Sequence, residues 1–549
     1  MEWNVFFLMF DIISMRDFSK EQIVTILDVA DDVKKAVHDR AYGNTFKRKY
    51  GRSLETVLKG TKTAMMFVEN STRTHYSFKT AVAMAGGYAD GFSSADDTSL
   101  KKGETWAETA TMFAGNGFNA LVMRTTTEGM PRWTKEYLQL KYELVRAQHQ
   151  QMGKPYSYRV PMILNGGDGK NQHPTQCLLD LMTIREIARS EGKELEELDI
   201  ALLNDLKYGR TNASLMSVAH HFDWTLHFAH PNRFGPPKHR LEELKRRGVK
   251  MENHGENFEE AMRAALIAYH SRPQKERVGA GEDLLTIKEV GQQTQARYDR
   301  LGISAPYLLH PLPVDAETFE EIAYDLIFHP KNFTSFQAAN GPYVRIAGLA
   351  LGLERIGMVY PKTNLRQKEG VSLVDLTIDH ERKKISNPRS GYIENEGIVL
   401  DHVPEGMGRR LAGVLGLEHD SVSMVISNHM PTHNGERRKD MIKIHGHYEL
   451  TEKQYEAMAL IAPEISVSFV KSGMVSRKVR PVLGSSIEGL VHCGNDGCAT
   501  NVKKEHITPK HDVLDVNGTR VLNCHYCEVE ETIPEVYKAN RFLYLGGKD

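Results

Sequence analysis

The stretch Asn165-Gly-Gly-Asp-Gly-Lys-Asn-Gln-His-Pro-Thr-Gln176 decides the fold of the first half of this chain. It follows an apolar, strand-like run, Val160 to Leu164, turns on three glycines and opens a helical pattern at Pro174. Proline suits a first helical turn, because its missing N–H would have no partner there anyway. His173 and Gln176 are three apart, so they share one face of that turn. A strand, a tight glycine turn and polar residues at a helix start together describe a ligand site at the carboxyl edge of an α/β sheet.

The same alternation recurs through the first 360 residues. β-like runs at Ala64–Val68, Asn119–Arg124, Val160–Asn165, Ile200–Asn204, Trp224–Ala229, Ala264–Tyr269 and Tyr307–His310 alternate with helical-period stretches such as Ser71–Met84 and Pro174–Ala188. That pattern predicts α/β architecture with parallel, doubly wound sheets. About 340 residues of it exceed one comfortable domain. Two sheets are expected, in domains 1–185 and 186–360. Residues 361–390 are polar and turn-rich around one short apolar alternation, Val371–Ile378, and read as a linker. Beyond them, Val399–Val403, Ser423–Ser427, Met441–Ile444 and Ser466–Val470 alternate with helical patterns at Gly406–Leu415 and Thr451–Ile461. An α+β domain over 391–485 fits, followed by a small β-rich module over 486–549.

The chain has 549 residues, 40% hydrophobic and 26% charged, ordinary for a soluble globular protein. A net charge of -1 gives no electrostatic case for a nucleic-acid or anionic-membrane partner. No apolar run is long enough to span a bilayer. Met1 to Ser14 is apolar but lacks a basic start and a small-residue cleavage site. It reads as a short extension ahead of the domain, or as a misplaced start with Met15 as the true one. Five cysteines make no disulfide framework, and the chain reads as cytoplasmic.

Several strand ends in the first half carry polar residues. Glu69-Asn-Ser-Thr-Arg-Thr74 opens a helix, where free N–H groups, hydroxyls and an arginine make a phosphate cradle. Arg124 closes another strand. Lys207-Tyr-Gly-Arg-Thr211, Arg272-Pro-Gln-Lys-Glu-Arg277 and His310-Pro-Leu-Pro313 follow three more. Each alone reads equally as a helix cap or a solvated loop. Jointly they would converge on one arginine-rich crevice suited to substrates with several negative charges.

Four of the five cysteines, Cys493, Cys498, Cys524 and Cys527, form two close pairs separated by 25 residues. That spacing describes a four-thiolate site for one structural Zn²⁺ per chain. Residues 486–549 hold seven Lys/Arg against ten Asp/Glu, which argues against a nucleic-acid-binding zinc ribbon.

The set Ser-Thr-Arg-Thr, His-Pro-Thr-Gln and His-Pro-Leu-Pro resembles the carbamoyltransferase family, and Lys-Tyr-Gly-Arg-Thr with Arg-x-Gln-Lys-Glu-Arg points to its aspartate carbamoyltransferase branch. The resemblance covers roughly residues 16–355. It implies transfer of a carbamoyl group from carbamoyl phosphate to L-aspartate. Ser71, Thr72, Arg73 and Thr74 would hold the phosphate, and Arg124, His173 and Thr74 would polarise the carbonyl oxygen. Gln176 would lie near the carbamoyl nitrogen, and Arg210, Arg272 and Gln274 would hold the two carboxylates of aspartate. Leu312, ahead of Pro313 in an expected cis peptide, would align the attacking amine. Thr98-Ser-Leu-Lys-Lys-Gly-Glu-Thr105 resembles the loop that reaches into a neighbouring subunit's site, which makes Ser99 and Lys102 shared catalytic residues in at least a homotrimer. Glu69 with Arg210 and Arg277 would close the crevice. This chain departs from the pattern at His75, Lys79 and Val314, and its shared loop is one residue short.

Leu400-Asp-His-Val-Pro404, Arg438-Lys-Asp-Met-Ile-Lys-Ile444 and the four cysteines resemble the regulatory chain that accompanies some of these enzymes, here fused to the catalytic part. Asp401, His402, Lys439, Lys443 and Lys478 match its nucleotide-effector pocket, for ATP, CTP or UTP, although Ser468 and Gly473 depart from the base-reading pattern. Two other readings stand beside this one. A carbamoyltransferase for another amino acid such as ornithine would need an acidic pocket, against which Arg210, Arg272 and Pro311 argue. A catalytically degenerate nucleotide-sensing scaffold would not need to retain the ligand set.

Overall fold

The computed structural model describes residues 10–154, 159–273, 288, 290–315, 317, 320–356, 370–378, 392–418, 421–432, 438–516 and 518–543. The chain divides into two compact units, up to Asn364 and from Leu365 onward. No helix among the described residues is long and apolar enough to cross a membrane.

The first unit contains two parallel sheets. In the first, β1 (Lys62–Phe67), β2 (Tyr88–Phe92), β3 (Ala120–Thr125) and β4 (Met162–Asp168) lie in the order β2-β1-β3-β4. In the second, β5 (Asp199–Asn204), β6 (Thr225–Ala229), β7 (Lys250–Asn253), β8 (Ile267–Ser271) and β9 (Tyr307–Leu309) lie in the order β7-β6-β5-β8-β9. Each sheet is wound outward in one direction and then in the other. The winding reverses between β1 and β3 and again between β5 and β8, and such reversals leave crevices at the strands' carboxyl ends. The central strands are continuous apolar runs because helices cover both faces. The edge strands β2 and β7 are largely exposed and carry no such run, so the sequence pattern passed over them.

Helix Pro174–Ser190 leaves β4 and is buried along nearly its whole length. Helix Gly341–Gly352, from the far end of the unit, returns to pack against Lys20–His38 and the first sheet, and a single apolar core runs through both sheets.

Residues 10–14 are not an appendage. Ile12 bridges Leu164 in parallel, its N–H donating to Ile163 O at 2.9 Å and its carbonyl accepting from Asn165 N at 2.8 Å. Asp11 accepts from Lys135 Nζ at 3.0 Å and from Ile163 N at 2.7 Å. Residues 10–14 thus extend the first sheet beyond β4, which corrects the reading of a loose extension for that segment.

In the second unit, β10 (Ser372–Asp375), β11 (Glu396–Pro404), β12 (Ser423–Pro431), β13 (Arg438–His445), β14 (Ser466–Lys471) and β15 (Met474–Val482) form one antiparallel sheet, ordered β10-β15-β14-β11-β13-β12. Ile398, Leu400, Ile442, Ile444 and Val467 sit in the core under helices Gly408–Val414 and Glu452–Ile461. β10 falls inside the stretch read as a linker. It is exposed throughout and joins the edge by its backbone ladder to β15, so its polar character is that of a solvated edge strand. Then β16 (Ser486–Glu488), β17 (Lys510–Val516), β18 (Thr519–Cys524) and β19 (Glu530–Thr532) form a small antiparallel sheet. Ile487, Leu490 and Leu522 belong to the same apolar cluster as the larger sheet, so the two modules share a core.

Candidate active site

A cavity of about 700 Å³ lies where loops from both parallel sheets meet. β1 supplies Glu69–Thr74, β3 supplies Arg124, and the turn after β4 supplies His173 and Gln176. From the second sheet, the loop after β5 brings Arg210 and Thr211, β8 brings Ser271 and Arg272, and the turn after β9 brings His310 to Pro313. The strand-end residues expected from sequence therefore converge on one crevice, with two exceptions. Ser99 and Lys102 lie in an exposed short turn and do not line this cavity. Gln274, with Arg277, lies outside the described residues.

The cradle begins at Ser71, the N-cap of helix Thr72–Met84, whose side chain makes no capping hydrogen bond. Ser71 and the first-turn residues Thr72 to Thr74 line the cavity together, and the free N–H groups of a helix start suit an anion.

The turn after β4 is built on Asp168. Its carboxyl accepts from Asn165 Nδ2 (2.8 Å), Asn171 Nδ2 (3.1 Å), Gly129 N (2.7 Å) and Gln172 N (3.0 Å). Complete burial nevertheless pushes it up to about 7. The β3–β4 ladder shifts register between Met123/Asn165 and Thr125/Asp168, and Gly167 there adopts φ +117°. A Cβ at Gly167 would lie 3.0 Å from both Arg124 Nη1 and Arg210 Cζ. Glycine thus lets two guanidinium groups close on the backbone.

Arg124 is buried and donates to Gly166 O at 2.9 Å and to Glu69 Oε1 at 2.8 Å. Arg210 donates to Glu69 Oε2 at 3.0 Å and Gly169 O at 3.1 Å. Glu69 thus ties the first sheet to the second. His173 is the N-cap residue of its helix; its backbone N–H donates to Ser214 Oγ (3.0 Å) and its Nε2 lies 3.4 Å from Thr74 Oγ1. Burial, then the charges of Arg124, Arg210 and Arg345, hold its pKa well below 6.5, so the ring is neutral. Gln176 donates to Asp180 at 2.9 Å. The Leu312–Pro313 peptide is cis, Leu312 has φ +45°, and His310 Nδ1 accepts from Leu312 N at 2.9 Å.

Sequence reasoning missed the residues behind this front. Asp180 accepts from Gln176, Gln337 (2.6 Å) and Tyr269 OH (2.9 Å), and burial pushes it up to about 7. Arg345 lines the cavity, donates to Ser77 Oγ at 2.6 Å, and is brought down to about 9 by burial against the opposing charge of Asp180. A lone acid in Cys-Leu-Leu-Asp180-Leu and a lone arginine in Tyr-Val-Arg345-Ile-Ala were the available signals.

In the second unit, Lys443, Val399, Ser468 and Lys478 are cross-strand neighbours along one row of the larger sheet. That row lies opposite in phase to the core residues Ile398 and Leu400. Lys439 Nζ pairs with Asp401 at 2.7 Å and His402 Nδ1 lies 3.3 Å from the same carboxylate. Burial lowers the pKa of Lys443, and burial with neighbouring cations lowers that of His402. The four cysteines are buried, with Cys493 and Cys527 Sγ 3.5 Å apart, Cys498 and Cys524 Sγ 3.8 Å apart, and all four within 4.8 Å. A tetrahedral thiolate site with metal–sulfur bonds of about 2.3 Å has edges of about 3.8 Å, so this set fits a Zn²⁺-type ion.

Residues 11–186 match the family described as aspartate/ornithine carbamoyltransferase, carbamoyl-P binding domain. Residues 392–481 and 485–537 match the allosteric and metal binding domains of the aspartate carbamoyltransferase regulatory chain. The aspartate carbamoyltransferase catalytic subunit of Parabacteroides distasonis is 36% identical over 338 residues, 61% of this chain and 94% of that protein. That of Thermococcus gammatolerans is 36% identical over 355 residues, 64% of this chain and 100% of that protein. Among solved structures, the catalytic subunit of M. Jannaschii aspartate transcarbamoylase is similar at TM-score 0.50 and 31% identity, covering 63% of this chain and 98% of that one. Aspartate transcarbamoylase from Trypanosoma cruzi in complex with N-(phosphonacetyl)-L-aspartic acid is similar at TM-score 0.50 and 26% identity, covering 62% and 95%.

Proposed function

The chain belongs to the aspartate carbamoyltransferase family, and from that premise we propose how its residues divide the work of moving a carbamoyl group from carbamoyl phosphate to the amine of L-aspartate. The observation that carries this reading is the convergence of two polar loop sets, one at each sheet's reversal, on a single cavity.

Ser71 to Thr74, at the open end of their helix, bind the donor's phosphate. Arg124, Thr74 and the neutral ring of His173 hydrogen-bond its carbonyl oxygen and take up charge as that oxygen becomes an oxyanion. Gln176, held by Asp180, faces the carbamoyl nitrogen. Arg210 and Arg272, with Gln274, hold the acceptor's carboxylates, and Leu312 directs its amine. The neutral amine attacks the carbonyl carbon, the carbon–oxygen bond to phosphate breaks, the amine's surplus proton leaves on the phosphate, and N-carbamoyl-L-aspartate departs. No enzyme nucleophile is needed. Catalysis comes from charge aimed at the oxyanion and from alignment of two anions.

Ser99 and Lys102 complete the site from a neighbouring subunit, in a cytoplasmic homo-oligomer of at least three chains that serves pyrimidine biosynthesis. The domains run 1–185, 186–360, 391–485 and 486–549, and β10 belongs with the third. The cysteines hold one structural Zn²⁺. Asp401, His402, Lys439, Lys443 and Lys478 form a pocket for a nucleotide effector, and fusion fixes one such pocket per active site.

The test is a carbamoyl-transfer assay with L-aspartate against L-ornithine, repeated with ATP, CTP and UTP, and with N-(phosphonacetyl)-L-aspartate as a bisubstrate inhibitor. Transfer to aspartate with tight inhibition supports the division. Preference for ornithine, or indifference to the inhibitor, would overturn it. A rate indifferent to all three nucleotides would remove the effector pocket alone.

A further inference from the structure

A second group of ligand atoms stands on the outer edge of the second sheet. His227 on β6 is directly opposite Glu252 on the parallel edge strand β7, and His254 follows two residues later. Side chains two apart on a strand share a face, and directly opposed residues do too, so the pleat projects all three from one side. Asp199 joins the same stripe, because Ala201, two residues on, is the partner of His227.

The donor atoms form a compact triangle. His227 Nδ1 is 3.2 Å from His254 Nε2 and 3.4 Å from Glu252 Oε2, which is 3.8 Å from His254 Nε2. Tetrahedral Zn²⁺, with nitrogen and oxygen ligands at about 2.0–2.1 Å, requires separations of about 3.3–3.5 Å. His227 is backed by a carboxylate as metal-ligating histidines commonly are, and a second carboxylate stands near His254. The other nitrogen of His227 is 3.2 Å from Asp199 Oδ1, and that of His254 is 3.7 Å from Glu260 Oε2. His227 is buried, His254 is nearly so, and the Glu252 side chain is 61% exposed. One coordination position therefore opens to water.

We propose that His227, Glu252 and His254 form a second metal site, for a divalent late transition ion such as Zn²⁺, which pins edge strand β7 to β6. Two imidazoles and one carboxylate favour Zn²⁺, Ni²⁺ or Cu²⁺ over Mg²⁺ or Ca²⁺. The site lies two strands away from β8, the strand that presents Arg272, and is separate from the four cysteines in sequence and in ligand chemistry.

The experiment is equilibrium dialysis of the full chain against micromolar free Zn²⁺, with bound zinc counted by elemental analysis. The unaltered chain is expected to hold two equivalents, one of which survives a chelator of moderate strength. His254→Gln should bind the second equivalent at least ~100-fold more weakly and Glu252→Gln at least ~10-fold, while Asp199→Asn costs about 10–100-fold by releasing His227. Glu252 and His254 lie on or just past the edge strand β7 and outside the cavity, so carbamoyl transfer and the tightly held equivalent should persist and report that the variants fold. One equivalent in the unaltered chain, or a second that outlasts His254→Gln, would overturn the site.

Discussion

Glu69, from the loop after β1, accepts hydrogen bonds from Arg210, which opens the helix after β5, and the pair is a direct side-chain tie between the two sheets in the cavity wall. The same carboxylate also receives Arg124. Two guanidinium groups are therefore held by one anion, each through charge-assisted bonds worth roughly 1.5–3 kcal/mol. Glu69→Gln keeps the shape and removes the charge. We expect turnover to fall ~10-fold or more and half-saturation by aspartate to rise, with folding retained. Unchanged aspartate saturation would show that Arg210 does not depend on Glu69 for its pose.

His173 leads to a sharper expectation, because burial and three arginines keep its ring neutral. A neutral ring donates one hydrogen bond to a developing oxyanion without first losing a proton. His173→Ala should lower turnover ~10²–10³-fold, the effect of removing one oxyanion donor. The ring's nitrogen shifts, read by NMR at pH 6, should be those of a neutral imidazole. A protonated ring at that pH would contradict the assignment.

Gly167 tests the packing behind these cations. Alanine there would place its methyl 3.0 Å from both Arg124 and Arg210 and would hold a φ of +117° that side chains rarely adopt. Gly167→Ala should destabilise the first unit by roughly 1–3 kcal/mol and impair turnover together, because the strain and the clash fall on the site itself. Loss of stability with full turnover would mean that the arginines re-settle without cost.

Much of this site was legible because its members follow apolar strands covered on both faces, and such runs announce themselves in sequence. Glu69–Thr74 follow the end of β1, Arg124 is the penultimate residue of β3, and Arg210 opens the helix after β5. What escaped was whatever depended on a distant partner. Ile12 looked like an appendage because β4, which it pairs with, lies about 150 residues away. β10 looked like a linker because an exposed edge strand has no apolar face to declare it. Arg345 reaches Ser77 across 268 residues, and Asp180 is defined by Gln337 and Tyr269 rather than by its neighbours in the chain.

Asp180 makes a prediction about pH. Its carboxyl stands at about 7 in the folded chain because burial outweighs the donors around it, against an ordinary value of 3.8. Between those values the folded form keeps a proton that the unfolded form has released. The stability this group contributes is complete below about 4 and is lost as pH rises through about 7. Asp180→Asn removes the titration, so the stability gap between parent and variant should narrow from about pH 4 to about pH 7, by up to ~1.4 kcal/mol per unit inside the window. Denaturant unfolding at several pH values measures it. A gap that stays flat across this range would mean that Asp180 is already ionised when folded.

Metal removal should act on the second unit through its shared core. Ile487, Leu490 and Leu522, beside the four cysteines, pack in one cluster with Ile461, Val467 and Ile398 of the larger sheet. Some 60 residues of small strands cannot supply much apolar burial of their own, whereas a structural Zn²⁺ site contributes apparent binding energies of about 10–16 kcal/mol. A strong chelator, or Cys524→Ser, should therefore unfold residues 486–543 and, because the cluster is continuous, weaken 392–482 as well. Limited proteolysis should cut first around β17 and β18 and then in the larger sheet, while the α/β unit, whose core is separate, resists. Carbamoyl transfer should outlast both cuts. If the larger sheet stays fully protected after the cysteine module is digested, the two modules fold independently and the shared core does not couple them.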